Sequence, residues 1–441
     1  MPVQKSGNGG LDAILAAVDP KEGTGWHGLA RRDALNRLRT MGLPVPRDEY
    51  WRFSGPGPLI WPIEGTSPET TRPPVDCTMP LHASAAVRSV FQETDCLRMV
   101  FIDGVFSPDR SDDLVMANVD IVPLSEAMAL DIHWSRDLFG KLEADGQSPI
   151  ARPLAALNTA VARNGFVMDV HGQVPKPVCM VYLRETDQSE AIIHSLVKIR
   201  KGASVTLLEN GPGAARLNSV LEIDVEQNAR FDHVRVQGRD HDRVAATHQF
   251  VRLARESSFR SFSMTVNGVH TRNETYIALR GDEAKATVAG VCVGDGEFLH
   301  DDTVFVLHDA ERCESRQVFK KVLGNGSKGV FQGKILVRPG AQKTDGYQIS
   351  KGLLLDGTSQ FLAKPELEIY ADDVACSHGS TCGALDEDSL FYLMARGITR
   401  SEAQRMLVLA FLEEAIDEIE DLEIAADLRD RLAEWIARHS S

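Results

Sequence analysis

The chain is poor in aromatic residues and has no basic run, and both absences narrow what it can do. Phe, Trp and Tyr make up 6% of 441 residues, few for an enzyme that stacks sugar rings against its cleft. The formal charge is −15 at neutral pH, and no cluster of Lys or Arg interrupts the acidic excess. That argues against a nucleic-acid partner, which needs a basic patch. No window approaches the roughly 20 apolar residues of a membrane span. The opening MPVQKSGNGGLDAILAAVDP lacks the continuous apolar core of a signal peptide.

Cysteine is also sparse. Cys77, Cys96, Cys179, Cys292, Cys313, Cys376 and Cys382 are an odd set scattered along the chain, not a disulfide framework. A reducing cytoplasm is the expected setting, with most thiols acting as small buried groups. There is no C-x-x-C, no G-x-x-x-x-G-K-[ST] and no G-x-S-x-G. GNGSKG, residues 324 to 329, matches a dinucleotide fingerprint by letter. It runs on into VFQGKILV, a strand where the fingerprint requires a helix, so it reads as a turn.

What is present falls into three regions, within the two or three domains that this length allows. Residues 1–150 are mixed. GWHGLARRDALNRLRTMGLP predicts a helix ended by Gly42 and Pro44. The proline-rich SGPGPLIWPIEGTSPETTRPPVD reads as irregular, and LRMVFIDGVFSPD reads as a hairpin turning at Asp103-Gly104.

Residues 151–385 hold the most informative pattern. Strand, small-residue turn and strand recur, with Ala203, Ala229, Ser258, Ala284, Cys313, Ala341 and Ser359 as the small turn residues, at spacings of roughly 18 to 29. One such unit cannot bury its apolar face alone, whereas a stack can. In ARFDHVRVQ, Phe231, His233, Arg235 and Gln237 share one face, and Asp232, Val234 and Val236 share the other. The pattern favours a solenoid narrowly over a β-sandwich of hairpins. The six histidines in these strands, His194, His233, His248, His270, His300 and His308, are expected to be structural. Asp301-Asp302 and Asp372-Asp373 are adjacent carboxylates that strands would point to opposite faces. Neither pair converges by itself as a glycosidase needs, although β-solenoids that act on polysaccharides keep that class open.

Residues 386–441 are helical. Thr399 and Glu402 fit a capping box. EEAIDEIEDLE reads either as a solvated helix face or as an acidic docking surface.

One stretch carries chemistry. In DDVACSHGSTCGALDE, residues 372 to 387, Cys376 and His378 stand at i and i+2. On a strand they share a face, with Cβ atoms roughly 7 Å apart. A tetrahedral metal site needs about four ligands. This stretch offers two, or three if Cys382 curls back, so it reads as a half-site that a second chain could complete. The alternatives are a buried Cys376 with His378 bonded to a turn, or a structural zinc site.

GVFQGKILVRPGAQKTDGYQ, GLLLDG, LNTAVARNGFVMDV and KPELEIYADDVACSHGSTCGALDEDSLFYLMARGI, with GLPVPRDEYWRFS nearer the N-terminus, resemble the SufB/SufD family of iron–sulfur cluster assembly proteins. The C-S-H-G motif favours its SufD branch. The resemblance implies a mainly β protein: a right-handed parallel β-helix flanked by an N-terminal helical or mixed region and a C-terminal α-helical domain. It implies a non-catalytic scaffold in a cytoplasmic complex with SufB and the ABC-type ATPase SufC, or a homodimer in isolation. His378, with Cys376, is the expected half-site for a nascent iron–sulfur cluster shared with SufB. Asp386, Leu390, Phe391, Tyr392, Arg396, Gly397 and Phe411 are the expected SufC-docking residues, and truncation after Gly397 is expected to remove docking while leaving the β-helix folded. A flavin in the assembled complex is suggested for relatives and has no motif here. Cys382 departs from the apolar residue expected in relatives, and a buried small residue is the favoured reading of it.

Overall fold

The computed structural model describes residues 8–18, 25–60, 90–130, 133–186, 189–211, 213–238 and 242–439. Most of the proline-rich stretch and Cys77 lie outside these residues. Helices α1 (Asn8–Val18) and α2 (Trp26–Met41) come first. Strands β1 (Leu97–Ile102), β2 (Val105–Phe106) and β3 (Val119–Pro123) follow, then helices α3 (Leu124–Ala129), α4 (Lys141–Asp145) and α5 (Pro153–Val161). The remaining strands are β4 (Phe166–Val170), β5 (Val178–Leu183), β6 (Glu190–Ile199), β7 (Ser204–Asn210), β8 (Arg216–Val225), β9 (Arg230–Gln237), β10 (Val244–Leu253), β11 (Ser258–Val266), β12 (His270–Leu279), β13 (Lys285–Asp295), β14 (Leu299–His308), β15 (Glu314–Gly324), β16 (Lys328–Val337), β17 (Asp345–Leu354), β18 (Gln360–Ile369) and β19 (Ala375–Gly383). Helices α6 (Glu387–Met394), α7 (Arg400–Ile416) and α8 (Leu422–His439) close the chain.

Successive strands alternate between two sheets. One has the order β19-β17-β15-β13-β11-β9-β7-β5-β1-β2, the other β18-β16-β14-β12-β10-β8-β6-β4-β3. Pairing is parallel except for β1 with β2 and β3 with β4. This is a parallel solenoid of about seven turns, not a sandwich of hairpins. Strands β1 and β3 already belong to its sheets, so the solenoid begins inside the first 150 residues.

The repeat is more regular than the sequence suggests. Ladder partners 204, 230, 258, 285, 314, 345 and 375 step by 26 to 31 residues. The residues just before the first five, Ala203, Ala229, Ser257, Ala284 and Cys313, are all buried at one corner. Ser257, not Ser258, fills the corner, and Thr344, not Ala341, follows left-handed Lys343 at the next one. Ser359, also read as a corner residue, precedes β18 at the opposite corner. The turn has a fixed shape: Gly202, Asn228, Glu256, Glu283, Arg312 and Lys343 all have φ between +50° and +70°. That left-handed residue redirects the chain, and a small side chain behind it lets the corner close.

Alternation along β9 assigns two cores, and the outer face of the other sheet adds a third. Phe231 points into the lumen, where it joins Phe259, Val251, Ile277 and Val304. Val234 and Val236 point outward and are covered, with Phe262, Met264 and Val291, by Leu412, Leu428 and Leu432 of α7 and α8. On the other sheet, Phe250, Tyr276 and Phe305 meet Leu138, Phe139 and Leu142. Burying each such side chain is worth about 1.5–3 kcal/mol. Truncation after Gly397 would therefore strip an entire sheet face, and the expected intact β-helix does not follow.

The acidic run is largely exposed, but several of its carboxylates are paired within the chain. Glu414 pairs with Lys320 and Lys351, Glu418 with Arg316 at 2.8 Å, and Glu420 with Arg230 at 2.6 Å and with Arg260. Asp417 meets Arg429 of α8 at 2.6 Å. These carboxylates fasten α7 to the solenoid and to α8.

The six strand histidines are all buried. His194 bonds Glu222 at 2.8 Å, and His300 meets Lys321 at 2.6 Å. Burial holds His248 and His308 at about 4 and His270 at about 3. The unfolded chain takes up protons at these sites from about pH 6.5 downward, while the folded chain resists until near pH 4. Stability is therefore present above pH 6.5 and lost as pH falls toward 4. Burial disfavours ionised Glu209 and Glu274, but the neighbours together, Arg235 and His233 for the first and Arg272, His248 and Arg152 for the second, outweigh it and hold both at about 2. Those carboxylates begin to cost stability only below their unfolded value, about 4.3. The midpoint of thermal unfolding is expected to fall between about pH 6.5 and 5. A flat midpoint over that interval would contradict the assignment.

Candidate functional site

The two sheets end in β18 and β19, and this end of the solenoid is open. Residues of β16 are almost all buried, whereas β18 is half-buried and β19 mostly exposed. The ladder sets Cys376 beside Gly346, His378 beside Gln348, Ser380 beside Ser350 and Cys382 beside Gly352. Gln348 and Ser350 are completely buried, so this alternate set faces the lumen. Cys376, His378, Ser380 and Cys382 thus continue the lumen wall past the last closed turn. Ser380 is anchored to Ser350 by an Oγ–Oγ hydrogen bond of 2.7 Å.

Cys376 is half-buried and His378 exposed, unlike every other histidine in the described strands. Burial raises both the Cys376 and the Cys382 thiols above the ordinary range, so metal binding there releases a proton. Cys382 is exposed and lies on the same face, which overturns its reading as a buried small residue. Among the described residues, no three His, Cys, Asp or Glu side chains converge as a metal site. Cys376 and His378 gain no third such group.

The backbone at this end has its own chemistry. In a strand, successive N–H and C=O groups point to alternate sides. Ala375 N–H bonds Thr344, so odd positions of β19 face β17. The N–H and C=O groups of Cys376, His378, Ser380 and Cys382 face the open edge. In β18, Gln360 and Tyr370 bond back to the preceding turn, which turns position 365 toward the open edge. That position is Pro365, which has no N–H to offer. Strand addition is therefore obstructed at the middle of β18 and unobstructed along β19.

The expected docking residues divide by burial. Asp386 caps α6 by accepting from Ser389 N–H at 3.0 Å. Leu390 is buried, and Phe411 is half-buried with Lys320 Nζ 4.6 Å from its ring centroid. Gly397 ends the helix at φ +85°, a conformation that favours glycine. Phe391, Tyr392 and Met394 are 75%, 56% and 42% exposed, an apolar group on the surface of α6. The Arg396 guanidinium lies 3.3 Å from the Tyr392 ring centroid. Arg400 pairs with Glu387, linking the start of α7 to that of α6.

Three of the four adjacent carboxylates of the polysaccharide-enzyme reading are paired within the chain. Asp301 is buried against Arg272 and Ser54, with Trp51 under the Arg272 guanidinium at 4.0 Å. Asp302 faces the lumen and binds Lys321 at 2.7 Å. Asp373 pairs with Lys343. No helix among the described residues is long and apolar enough to cross a membrane.

Comparison with known proteins agrees with this architecture. The family model "SUF system FeS cluster assembly, SufBD core domain" matches residues 182–411, more than half of the chain. The chain is 26% identical over 415 residues to the iron–sulfur cluster assembly protein SufD of Escherichia coli (strain K12), covering 91% of this chain and 90% of that one. It is 28% identical over 283 residues to SufD of Bacillus subtilis (strain 168), covering 62% and 65%. It is 31% identical over 245 residues to the chloroplastic protein ABCI7 of Arabidopsis thaliana, covering 54% and 51%. Carrying the SufBD core domain on its solenoid and resembling SufD along most of its length, the chain belongs to the SufB/SufD family of SUF-system iron–sulfur cluster assembly proteins.

Proposed function

We propose that this chain is a non-catalytic scaffold subunit that holds a nascent iron–sulfur cluster at a seam with a second, SufB-type β-helix. One observation carries the reading: an exposed imidazole and a neighbouring thiol lie on an edge strand with unpaired backbone, in a ligand set too small to be complete. Exposed apolar ends of solenoids are normally capped. A second β-helix laid against β19 would satisfy the edge, cover the lumen mouth and bring the missing ligands. The cluster is cargo in this reading. The His378 ring would donate a nitrogen lone pair to iron, and Cys376 would bind as thiolate after losing its proton.

The second contact is with a SufC-type ATPase. An exposed Phe–Tyr–Met group on a short helix beside an arginine suits an interface core, where aromatic residues and Arg dominate. The link from α6 through α7 to the solenoid gives ATP-driven movement a route to the seam. The experiment is co-purification of a tagged chain with both partners. Phe391→Asp is expected to weaken ATPase recovery by about tenfold or more, while the SufB-type subunit is recovered as before. Full ATPase recovery with Phe391→Asp overturns the docking surface. Loss of both partners would mean that α6 holds the fold instead.

A further inference from the structure

The ladder partner of His378 is Gln348, and the partner of Gln348 is Gln317. All three lie on the lumen face. Gln348 is completely buried and Gln317 is 1% exposed. None of their four amide atoms has a hydrogen-bond partner among the described residues. An unsatisfied buried amide is costly, and where a native protein keeps one it calls for an explanation, such as a water, an ion or a functional role.

The opposite wall makes room for the upper amide. A Cβ placed on Gly333 of β16 would lie 2.4 Å from Gln348 Oε1 and 2.7 Å from Nε2. Gly333 is not among the positive-φ glycines, so the backbone does not demand glycine there. The space does: β16 gives up a side chain so that the Gln348 amide can lie across the top of the lumen, one strand below the exposed imidazole.

We propose that Gln348 is the positioning residue of His378, its Oε1 accepting the N–H of one ring nitrogen so that the other keeps its lone pair for iron. This rests on the reading of His378 as a cluster ligand. A histidine that binds metal almost always donates its second ring N–H to a fixed acceptor, and no other buried, unpartnered acceptor stands next to His378 in the described ladder. The exposed His378 ring makes no hydrogen bond among the described residues and is free to turn over the Gln348 amide; once made, the bond fixes both the tautomer and the ring plane before any partner arrives. Its acceptor sits buried on a closed turn of the solenoid, whereas β19 is mostly exposed.

The test is nitrogen NMR of the full chain labelled with 15N-histidine, with His378→Ala identifying the His378 ring signals. In the unsubstituted chain at a pH where the ring is neutral, the two ring nitrogens are expected to report one dominant tautomer. Gln348→Met, of similar length but without an acceptor, is expected to shift both signals toward a mixture. Gln348→Glu, which keeps an acceptor at that place, is expected to restore the single tautomer. Cluster maturation in vivo is expected to drop about tenfold in Gln348→Met. Unmoved His378 signals in Gln348→Met overturn the inference even if His378→Ala abolishes maturation, which leaves the cluster-ligand reading standing. Shifted signals together with normal maturation in His378→Ala support the hydrogen bond and defeat that reading instead.

Discussion

Replacing His378 by alanine is expected to leave the assembled complex intact and to cut iron–sulfur cluster maturation by about tenfold or more. The ring is exposed and makes no hydrogen bond or ion pair among the described residues, so folding has little to lose, within about 0.5 kcal/mol for such a surface position. The ladder bonds between β19 and β17 are backbone bonds and survive the change. The ligand pair, however, falls to a single thiol. The measurement is the activity of an iron–sulfur enzyme in cells that depend on this chain, with co-purification of partners as control. Normal activity would remove His378 from the mechanism. Dissociation of the complex would mean that the ring serves the seam rather than the cluster.

Ser380→Pro carries the second large effect, on pairing rather than on chemistry. The Ser380 N–H faces the open edge, so a proline there removes no bond to β17. It takes from the seam what Pro365 already takes from the edge of β18. Inside the chain the cost is the Ser350–Ser380 hydrogen bond, about 1 kcal/mol. Across the seam, a lost backbone bond and a ring pushed into the incoming strand are expected to weaken association by about a hundredfold, or ~3 kcal/mol. Sedimentation of the mixed subunits reads this directly, and the isolated chain, if it pairs with a second copy of itself, is expected to become monomeric. Unchanged association with Ser380→Pro would exclude strand addition at β19.

Much of this was readable in the residues. Alternation along Phe231–Gln237 identified a strand with two unlike faces, and the structure seats one on the lumen and the other under α7 and α8. The shared face of Cys376 and His378 was readable because i and i+2 lie on one side wherever a strand forms. The corner was misread at Ser258, Ala341 and Ser359 because its shape depends on left-handed Glu256, Glu283, Arg312 and Lys343, residue types that carry no turn signal. The ion pairs of the acidic run were not readable because its partners, Arg230, Arg260, Arg316 and Lys320, lie about 100 residues or more away and meet it only across a folded sheet. Gln348 and Gly333 face each other on different sheets, a relation that no local pattern encodes. Nor could composition tell that ACSHGSTCG was the last strand of its sheet; the exposure of His378 follows entirely from that position.

The most direct measurement is pulsed electron paramagnetic resonance on the reduced cluster in anaerobically purified complex, with only this chain labelled by 15N-histidine. A nitrogen coupling strong enough for direct iron ligation, present with the unsubstituted chain and absent with His378→Ala, is the expected result. A cluster that forms with the same spectrum in both would contradict the claim that this chain supplies an imidazole to the shared site.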